Sequence, residues 1–249
     1  NGESIMNIAL IGYGKMGKEI EAIAKEKNIT IAKVFSSENN IGGKALTNDS
    51  LHNIDVCIEF TRPEQAFENL SAAIKAKKNI VCGTTGWLNR MDEIKNLAKE
   101  NNVGFLYASN FSIGMNIFFE LVSQAGMLFN SFNDYDGFIH ETHHVDKPDS
   151  PSGTALHIAS LLLQNFTRKK EIVHETAHTP LKSNQLHVTS TRAGHWIGQH
   201  NVTFDSEADT IELIHTARSR RGFALGALVA AQWLHNKKGI YSMKDILII

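Results

Sequence analysis

A glycine-rich turn close to the start of the chain is the feature that most restricts its fold. Gly12, Gly14 and Gly17 form a G-x-G-x-x-G pattern directly after the β-rich run 6–12 and at the start of the amphipathic run 14–27. Glycines in this setting permit a tight turn, and the free N–H groups of the helix start can hold a pyrophosphate. We therefore predict a dinucleotide-binding unit rather than a glycine-rich turn without a ligand.

The first half of the chain alternates short β-rich runs with amphipathic runs of helical period. Helices are predicted over 14–27, 63–77 and 88–101, and Pro63 suits the first turn of the second helix. The predicted strands are 6–12, 29–35, 54–60, 79–82 and 103–108. This alternation is typical of βαβ units and a parallel sheet. It predicts an α/β chain with a Rossmann-type dinucleotide-binding domain.

The pattern changes after residue 110. The second half is predicted to contain helices over 113–130, 153–166 and 223–235 and strands over 135–144, 172–175, 186–191, 197–204, 210–216 and 246–249. Several of these strands follow one another without a helix between them, which predicts an α+β domain with an open, mixed or mostly antiparallel sheet.

Composition excludes several functional classes. The net charge of −1 provides no positive field for nucleic acid, and no apolar run reaches the about 18 residues of a membrane span. The two cysteines, Cys57 and Cys82, lie in apolar strand-like runs, which favours buried thiols over a disulfide or metal site. We expect a cytoplasmic enzyme with no nucleic-acid or membrane partner and no metal.

The end of the second strand bears on the choice of cofactor. It carries Ser36 and Ser37, with Glu38 one step later, and has no obvious acidic ligand for a ribose 2′-hydroxyl. The two hydroxyls suit a 2′-phosphate, with Lys33 or Lys44 supplying positive charge. A solvated loop without selectivity is the alternative. We favour NADPH and keep NADH open.

Small and hydroxyl-bearing residues follow three further predicted strands. They are the runs Phe60-Thr61-Arg62, Gly83-Thr84-Thr85-Gly86 and Ala108-Ser109-Asn110-Phe111. Because ligands of open α/β sheets sit beyond the carboxyl ends of strands, these runs predict one site at that edge, although each run alone is also typical of a plain turn.

The segment 141–155 is the densest in chemical groups. His143, His144 and Lys147 end a strand, and histidine and lysine can move a proton or hold an anion. Ser152 then suits a helix N-cap whose exposed amides can bind a carboxylate. The alternative is a solvated loop with surface histidines. A metal held by both histidines is disfavoured, because adjacent strand residues point to opposite faces.

These motifs together resemble the signature of the dihydrodipicolinate (4-hydroxy-tetrahydrodipicolinate) reductase family. The segment from His143 to Ala155 carries the most specific part of the likeness, and the glycine turn and strand ends follow in the family's order. Further matching runs are Arg192-Ala193-Gly194, Gly198, His200, His215, Ser219-Arg220, Phe223-Ala224 and Ala227. The likeness covers essentially the whole chain after Met6.

The resemblance implies a dinucleotide-binding domain formed by residues 6–112 and 221–249. Residues 113–220 would form an inserted domain for substrate binding and assembly into a homotetramer. The implied reaction is hydride transfer from NADPH or NADH to a cyclic dicarboxylate in lysine and diaminopimelate biosynthesis, which yields tetrahydrodipicolinate.

The resemblance also implies roles for individual residues. The cofactor site would comprise Gly12, Tyr13, Gly14, Lys15, Met16, Gly17, Ser36, Phe60, Gly83, Thr84, Thr85, Ala108, Ser109, Asn110 and Phe111. The substrate would contact Thr85, His144, Lys147, Ser152, Gly153 and Thr154. His143 and Lys147 would handle the proton after hydride addition.

Two other functions are compatible with parts of the sequence. Asp146-Lys147-Pro148 superficially resembles the catalytic turn of two-domain sugar or polyol oxidoreductases, but it lies far beyond the predicted nucleotide-binding unit. A non-catalytic NAD(P)H sensor would use the glycine turn and would not need the histidine–lysine segment.

Overall fold

A computed structural model describes residues 6–174 and 176–247. The chain divides into two compact units, one that comprises the residues up to Ile113 together with those from Arg220, and one that spans Gly114–Ser219. The second unit is therefore inserted into the sequence of the first. Each unit has its own sheet and hydrophobic core.

The elements are numbered along the chain. The strands are β1 (Asn7–Ile11), β2 (Thr30–Phe35), β3 (Val56–Glu59), β4 (Asn79–Cys82), β5 (Gly104–Tyr107), β6 (Asp136–His143), β7 (Glu171–Val173), β8 (Gln185–Arg192), β9 (Gln199–Asp205), β10 (Thr210–Thr216) and β11 (Gly239–Tyr241). The helices are α1 (Lys15–Glu26), α2 (Pro63–Lys75), α3 (Met91–Asn101), α4 (Ile113–Asn130), α5 (Gly153–Asn165), α6 (Arg221–Leu234) and α7 (Met243–Leu247).

The first unit is a parallel sheet between two helical layers. Its strand order is β11-β5-β4-β3-β1-β2, and every neighbouring pair is parallel. Helices α2 and α3 cover one face, and α1 and α6 cover the other. Because both faces are covered, β3 and β4 are buried along their whole length, which explains their apolar sequences. The predicted Rossmann-type fold class is confirmed.

The second unit contains a five-stranded mixed sheet in the order β10-β9-β6-β8-β7. Strand β9 is antiparallel to β6 and β10, whereas β8 is parallel to β6 and β7. The predicted α+β domain with an open, mixed or mostly antiparallel sheet is confirmed in its mixed form. Helices α4 and α5 share a core with one face of the sheet.

The C-terminal segment differs from the prediction. A strand was expected over 246–249, but β11 pairs with β5 earlier in the chain and α7 follows it. The amide and the hydroxyl of Ser242 both bond to the Asp245 carboxylate, which favours a helical turn at this point. Residues 248 and 249 lie outside the described residues, as does Glu175, where another predicted strand ends.

The described helices were compared with the length and hydropathy that a membrane-spanning helix needs. None of them is both long enough and apolar enough to cross a bilayer.

Candidate active site

The glycine turn after β1 is shaped by contacts that leave no space for side chains at two of its three glycines. Gly12 has a φ of 98°, and a Cβ there would lie 2.0 Å from the carbonyl oxygen of Phe60. A Cβ at Gly17 would lie 2.2 Å from the Gly12 carbonyl oxygen. Gly14 is different, because a Cβ there would meet nothing within 4 Å. The turn therefore packs tightly against β3 and stays open on the side of Gly14.

The open side of Gly14 is also the start of α1. No side chain caps this helix, so its first amides are available to an anion. A tight glycine turn and an uncapped helix start are what a dinucleotide pyrophosphate needs, and the residues present therefore fit that group.

Two cavities adjoin this turn. One, of about 420 Å³, is lined by Gly14, Lys15, Met16, Phe60, Thr61, Pro63, Gly83, Thr84 and Thr85. The other, also of about 420 Å³, is lined by Gly12, Tyr13, Gly14, Lys18, Ser36, Ser37, Glu38, Phe60, Thr61, Arg62 and Gln65. The structure thus brings together most of the residues that the sequence assigned to the cofactor.

The residues that follow β5 are partly buried and do not line the two cavities described above. Ala108 and Phe111 are buried, and the Asn110 side chain accepts a hydrogen bond from the amide of Ser112. The ring of Phe111 stands edge-on to Phe60 at 5.6 Å between centroids. Because Phe60 lines both cavities, Phe111 packs behind their wall, and the expected contact of Ala108, Ser109, Asn110 and Phe111 with the cofactor stays a prediction.

The positive charges near Ser36 are not the ones predicted. Lys18 and Arg62 line the second cavity, whereas Lys33 donates to the backbone oxygen of Ser50. Among the described residues, neither Lys33 nor Lys44 lines this cavity. The sequence did not show this, because Arg62 follows β3, which is separated by β1 from the strand β2 that precedes Ser36.

In the second unit, the buried carboxylate of Glu141 organises the polar cluster at the end of β6. Its Oε1 accepts hydrogen bonds from the Ser152 amide at 2.8 Å, the Ser190 hydroxyl at 2.9 Å and Arg192 Nη2 at 2.8 Å. Its Oε2 accepts from the Ser152 hydroxyl and lies 3.2 Å from His143 Nδ1. One carboxylate therefore joins β6, β8 and the start of α5.

The electrostatics of this cluster favour an ionised Glu141. Burial alone would raise the pKa of this carboxyl, but hydrogen bonds from His143, His200, Ser152 and Arg192 outweigh burial and place the pKa well below its ordinary value. Burial lowers the pKa of His200. Glu141 opposes that shift, and the nearby positive charges of His143 and Lys147 add to it.

The same cluster has donor atoms at metal-binding spacing. Ligand atoms of Glu141, His143 and His200 lie within 4.8 Å of one another. However, the carboxylate already accepts bonds from Arg192 and from two serines, so a cation would have to displace a guanidinium. The cluster is therefore already satisfied in large part by hydrogen bonds within the protein.

His143 is held on several sides. Its side chain is 9% exposed, and its ring is nearly perpendicular to that of His200 at 5.3 Å. A Cβ at Gly198 would lie 2.9 Å from His143 Nε2, so the absence of a side chain at Gly198 makes room for the ring. Glu141 on one side and Gly198 on the other therefore orient the imidazole.

The loop between β6 and α5 carries Lys147. The Lys147 ammonium donates to Asp149 at 2.7 Å, and this bond lowers the pKa of Asp149. The amide of Gly153 also donates to Asp149, at 3.4 Å. Asp149 therefore occupies two of the groups that the resemblance assigned to the substrate, the Lys147 ammonium and the Gly153 amide.

The start of α5 matches the predicted anion site in other respects. Ser152 is buried and its hydroxyl accepts from the amide of Ala155 at 3.1 Å, as an N-cap does. A Cβ at Gly153 would meet nothing within 4 Å. His144 is half-buried, next to Thr142 and Val145, and its amide donates to the Trp196 carbonyl oxygen.

Comparison with known proteins decides the family. The model for the N-terminus of dihydrodipicolinate reductase matches residues 6–111, and the model for the C-terminus of the same protein matches residues 114–247. The chain belongs to the dihydrodipicolinate reductase family. Its predicted family, reaction and NAD(P)H cofactor are confirmed, so it is an NAD(P)H-dependent reductase that converts 4-hydroxy-tetrahydrodipicolinate to tetrahydrodipicolinate in lysine and diaminopimelate biosynthesis.

Individual relatives agree along the whole length. The chain is 42% identical over 242 residues to the 4-hydroxy-tetrahydrodipicolinate reductase of Christiangramia forsetii, which covers 97% of this chain and 98% of the relative. It is 34% identical to the reductase of the same name from Buchnera aphidicola subsp. Schizaphis graminum, with 98% of each chain covered. The dipicolinate-bound dihydrodipicolinate reductase of Paenisporosarcina sp. TG-14 shares the fold, with a TM-score of 0.72, 24% identity and coverage of 97% and 99%.

Several members of the polar cluster were missing from the predicted reductase site. Glu141, Ser190, Arg192 and His200 were not assigned roles. One signal was present in the sequence, because Glu141 and His143 are two residues apart on a strand and so share a face. The partners on β8 and β9 depend on strand order, which the sequence did not supply.

Proposed function

We propose that the two units divide the work of the reductase between them. The first unit holds NAD(P)H at the Gly12–Gly17 turn and in the two adjoining cavities. The second holds the dicarboxylate substrate at the start of α5 and at Lys147. The observation that carries the second half of this proposal is the Glu141 carboxylate, which accepts a hydrogen bond from the Ser152 amide and lies 3.2 Å from Nδ1 of His143, so that the start of α5 and a candidate proton donor adjoin one carboxylate.

The chemistry of the second unit follows from charge. The amides of Gly153 and Thr154 at the start of α5 and the Lys147 ammonium would neutralise the substrate carboxylates. To do so, the substrate displaces Asp149 from Lys147 and from the Gly153 amide. This displacement makes binding selective for a ligand with a carboxylate in that position.

Proton delivery is assigned to His143 and Lys147. NAD(P)H, when bound, would supply the hydride, the ring takes up one proton, and the 4-hydroxyl group of the substrate leaves as water. The Glu141 carboxylate lies beside Nδ1 of His143, so Nε2, on the Gly198 side, is the ring nitrogen assigned to exchange the proton with the substrate. Lys147 holds the substrate and contributes to the same transfer.

Cofactor selectivity is assigned to the second cavity. Arg62 and Lys18 favour the 2′-phosphate of NADPH, whereas Glu38 in the same cavity suits the ribose hydroxyl of NADH. Because charges of both signs are present, we propose that the enzyme uses both cofactors, with NADPH preferred by a small factor.

The second unit also supports self-association into a homotetramer. Phe138 and Ile214 lie on the sheet face opposite the helices and are 42% and 54% exposed. Exposed apolar residues on an uncovered sheet face are typical of a subunit interface. We propose the cytoplasm as the compartment of the enzyme, in keeping with its NAD(P)H-dependent biosynthetic reaction and two free, buried cysteines.

A matched pair of substitutions tests the division of work. Gly14→Ala and Gly153→Ala each add a methyl group that meets no protein atom within 4 Å, so both variants should fold normally. We expect Gly14→Ala to raise the KM for NADPH and Gly153→Ala to raise the KM for the substrate, each at least about tenfold and each without the other effect. Unchanged constants in both variants would contradict the proposed sites.

A further inference from the structure

The strongest feature outside the catalytic cluster is the carboxyl group of Glu59. This residue ends β3 and is completely buried. In the described part of the chain, no lysine, arginine or histidine forms an ion pair with it. Burial raises the pKa of Glu59, so this position is costly for an acid.

The cost is offset by neutral hydrogen-bond donors. Oε1 accepts from the amide of Thr61 at 3.1 Å and from the Thr61 hydroxyl. Oε2 accepts from Cys82 Sγ at 3.2 Å, and the Thr84 hydroxyl is a further partner of the carboxyl group. Burial and the nearby Glu59 raise the pKa of Cys82, so the thiol keeps the proton that it donates. The donors match the acceptor capacity of a carboxylate.

These bonds connect Glu59 to the turn that follows β4. The amide of Thr61 also donates to the Thr84 hydroxyl at 2.8 Å, and Trp87 Nε1 donates to the Thr84 carbonyl oxygen at 2.7 Å. A Cβ at Gly83 would lie 2.1 Å from the ring of Phe60. The turn is therefore fixed to the end of β3 through Thr84.

The fixed turn faces a cavity already assigned to the cofactor. Gly83, Thr84 and Thr85 form one side of the cavity, and Gly14, Lys15 and Met16 form another. We propose that Glu59 is a positioning residue for the dinucleotide, which holds the Gly83–Gly86 turn in its binding shape before the cofactor arrives. The inference rests on the proposed cofactor site, and its physical basis is that a preformed site loses less conformational entropy on binding.

Glu59→Gln tests this role with little change in size. The amide keeps an acceptor for Thr61 but places an N–H donor opposite the donors Cys82 and Thr84. We expect fluorescence titration to show a Kd for NADH raised about tenfold, or about 1.4 kcal/mol. The KM for substrate at saturating cofactor should stay within about twofold of the wild type.

A second measurement needs no cofactor. Amide hydrogen exchange in the unliganded enzyme should become faster in peptides that cover residues 83–86 and stay unchanged in peptides that cover residues 12–17. A purely structural role for Glu59 predicts lower thermal stability or faster exchange throughout the first unit, with the Kd for NADH unchanged.

Thr61 provides a milder matched pair in case Glu59→Gln does not fold. Thr61→Val removes one donor to the carboxyl group and should weaken NADH binding severalfold, whereas Thr61→Ser keeps the hydroxyl and should restore it. Wild-type affinity in Thr61→Val, or in a folded Glu59→Gln, overturns the inference. If Gly14→Ala also leaves NADH binding unchanged, the cofactor site itself is wrong. If Gly14→Ala weakens binding and the other variants do not, only the role of Glu59 fails.

Discussion

Nδ1 of His143 lies 3.2 Å from Oε2 of Glu141, a carboxylate that is completely buried. A carboxylate beside Nδ1 favours the tautomer of His143 that carries hydrogen on Nδ1. The other groups that face this pair are Arg192 on β8, His200 on β9 and, through the loop, Lys147. Because Glu141 is already engaged with Arg192 and Ser152, it cannot rotate away from His143 without breaking those bonds.

Glu141→Gln should therefore disturb the tautomer of His143 and keep most of the packing. The new N–H group faces Nδ1 and favours hydrogen on Nε2 instead. We expect kcat to fall by about two to four decades, the range for a mispositioned acid. Nitrogen NMR of the labelled histidine rings reports the tautomer directly, and an unchanged His143 spectrum together with wild-type kcat would contradict the assignment.

Lys147→Ala and His143→Ala test the proton donors themselves. Lys147→Ala should lower kcat by roughly two to four decades, and His143→Ala should lower kcat with a smaller effect on the KM for substrate. NADPH titrations should be nearly unchanged in both variants, because the proposed phosphate site lies in the other unit. If both variants kept more than about a third of the wild-type kcat, these residues would not be catalytic.

Asp149 should compete with carboxylate ligands, because it occupies Lys147 and the Gly153 amide. Pyridine-2,6-dicarboxylate is expected to inhibit competitively with substrate. In Asp149→Asn the internal carboxylate is lost, so the inhibition constant should fall severalfold. Asp146→Asn, which changes a charge in the same loop, serves as the control. If the inhibition constant instead rose in Asp149→Asn, Asp149 would support the substrate site and would not compete for it.

Arg62 should distinguish the two cofactors. Arg62→Ala removes one of the positive charges from the second cavity, which Ser36 also lines. We expect it to lower kcat/KM for NADPH about tenfold, with little effect on kcat/KM for NADH. Lys44→Ala is a matched control, since Lys44 does not line that cavity in the described structure. Parallel kinetics with both cofactors provide the measurement. An equal fall in kcat/KM for NADPH and NADH would indicate that Arg62 binds a chemical group present in both cofactors.

Assembly can be tested through the open face of the mixed sheet. Phe138→Asp places a charge on that face and should convert a homotetramer into smaller species, detectable by light scattering coupled to gel filtration. Leu88→Asp serves as the control, because Leu88 is similarly exposed, at 45%, but belongs to the first unit. A tetramer that survives Phe138→Asp must use another surface.

The sequence predicted most of the parallel unit because its signals are local. The glycine turn, Pro63 and the apolar runs of β3 and β4 each depend on neighbouring residues only. The strand β11 was missed because three residues are too few to show a hydrophobic period. Its partner β5 is also distant in the sequence. The direction of β8 was also hidden, since it depends on the crossover through α5.

In the candidate site, too, the sequence predicted residues within one segment and missed those that strand pairing brings together. His143, Lys147 and Ser152 lie within one segment, and their chemistry could be interpreted without any structure. The Glu141 carboxylate accepts hydrogen bonds from Arg192 and Ser190. These two residues lie beside it only because β6 pairs with β8. In the same way, Arg62 replaces the expected Lys33 because β3, and not β2, delivers the charge to the cavity.

The inserted arrangement of the second unit has a consequence for synthesis on the ribosome. Helix α6 covers one face of the parallel sheet and β11 completes its edge, but both are encoded after residue 220. The first unit therefore cannot close its core until the residues from 221 to 241 have been synthesised, whereas all strands of the second unit emerge earlier. We expect the inserted unit to acquire protease resistance first in the nascent chain, although its synthesis begins after that of the first unit.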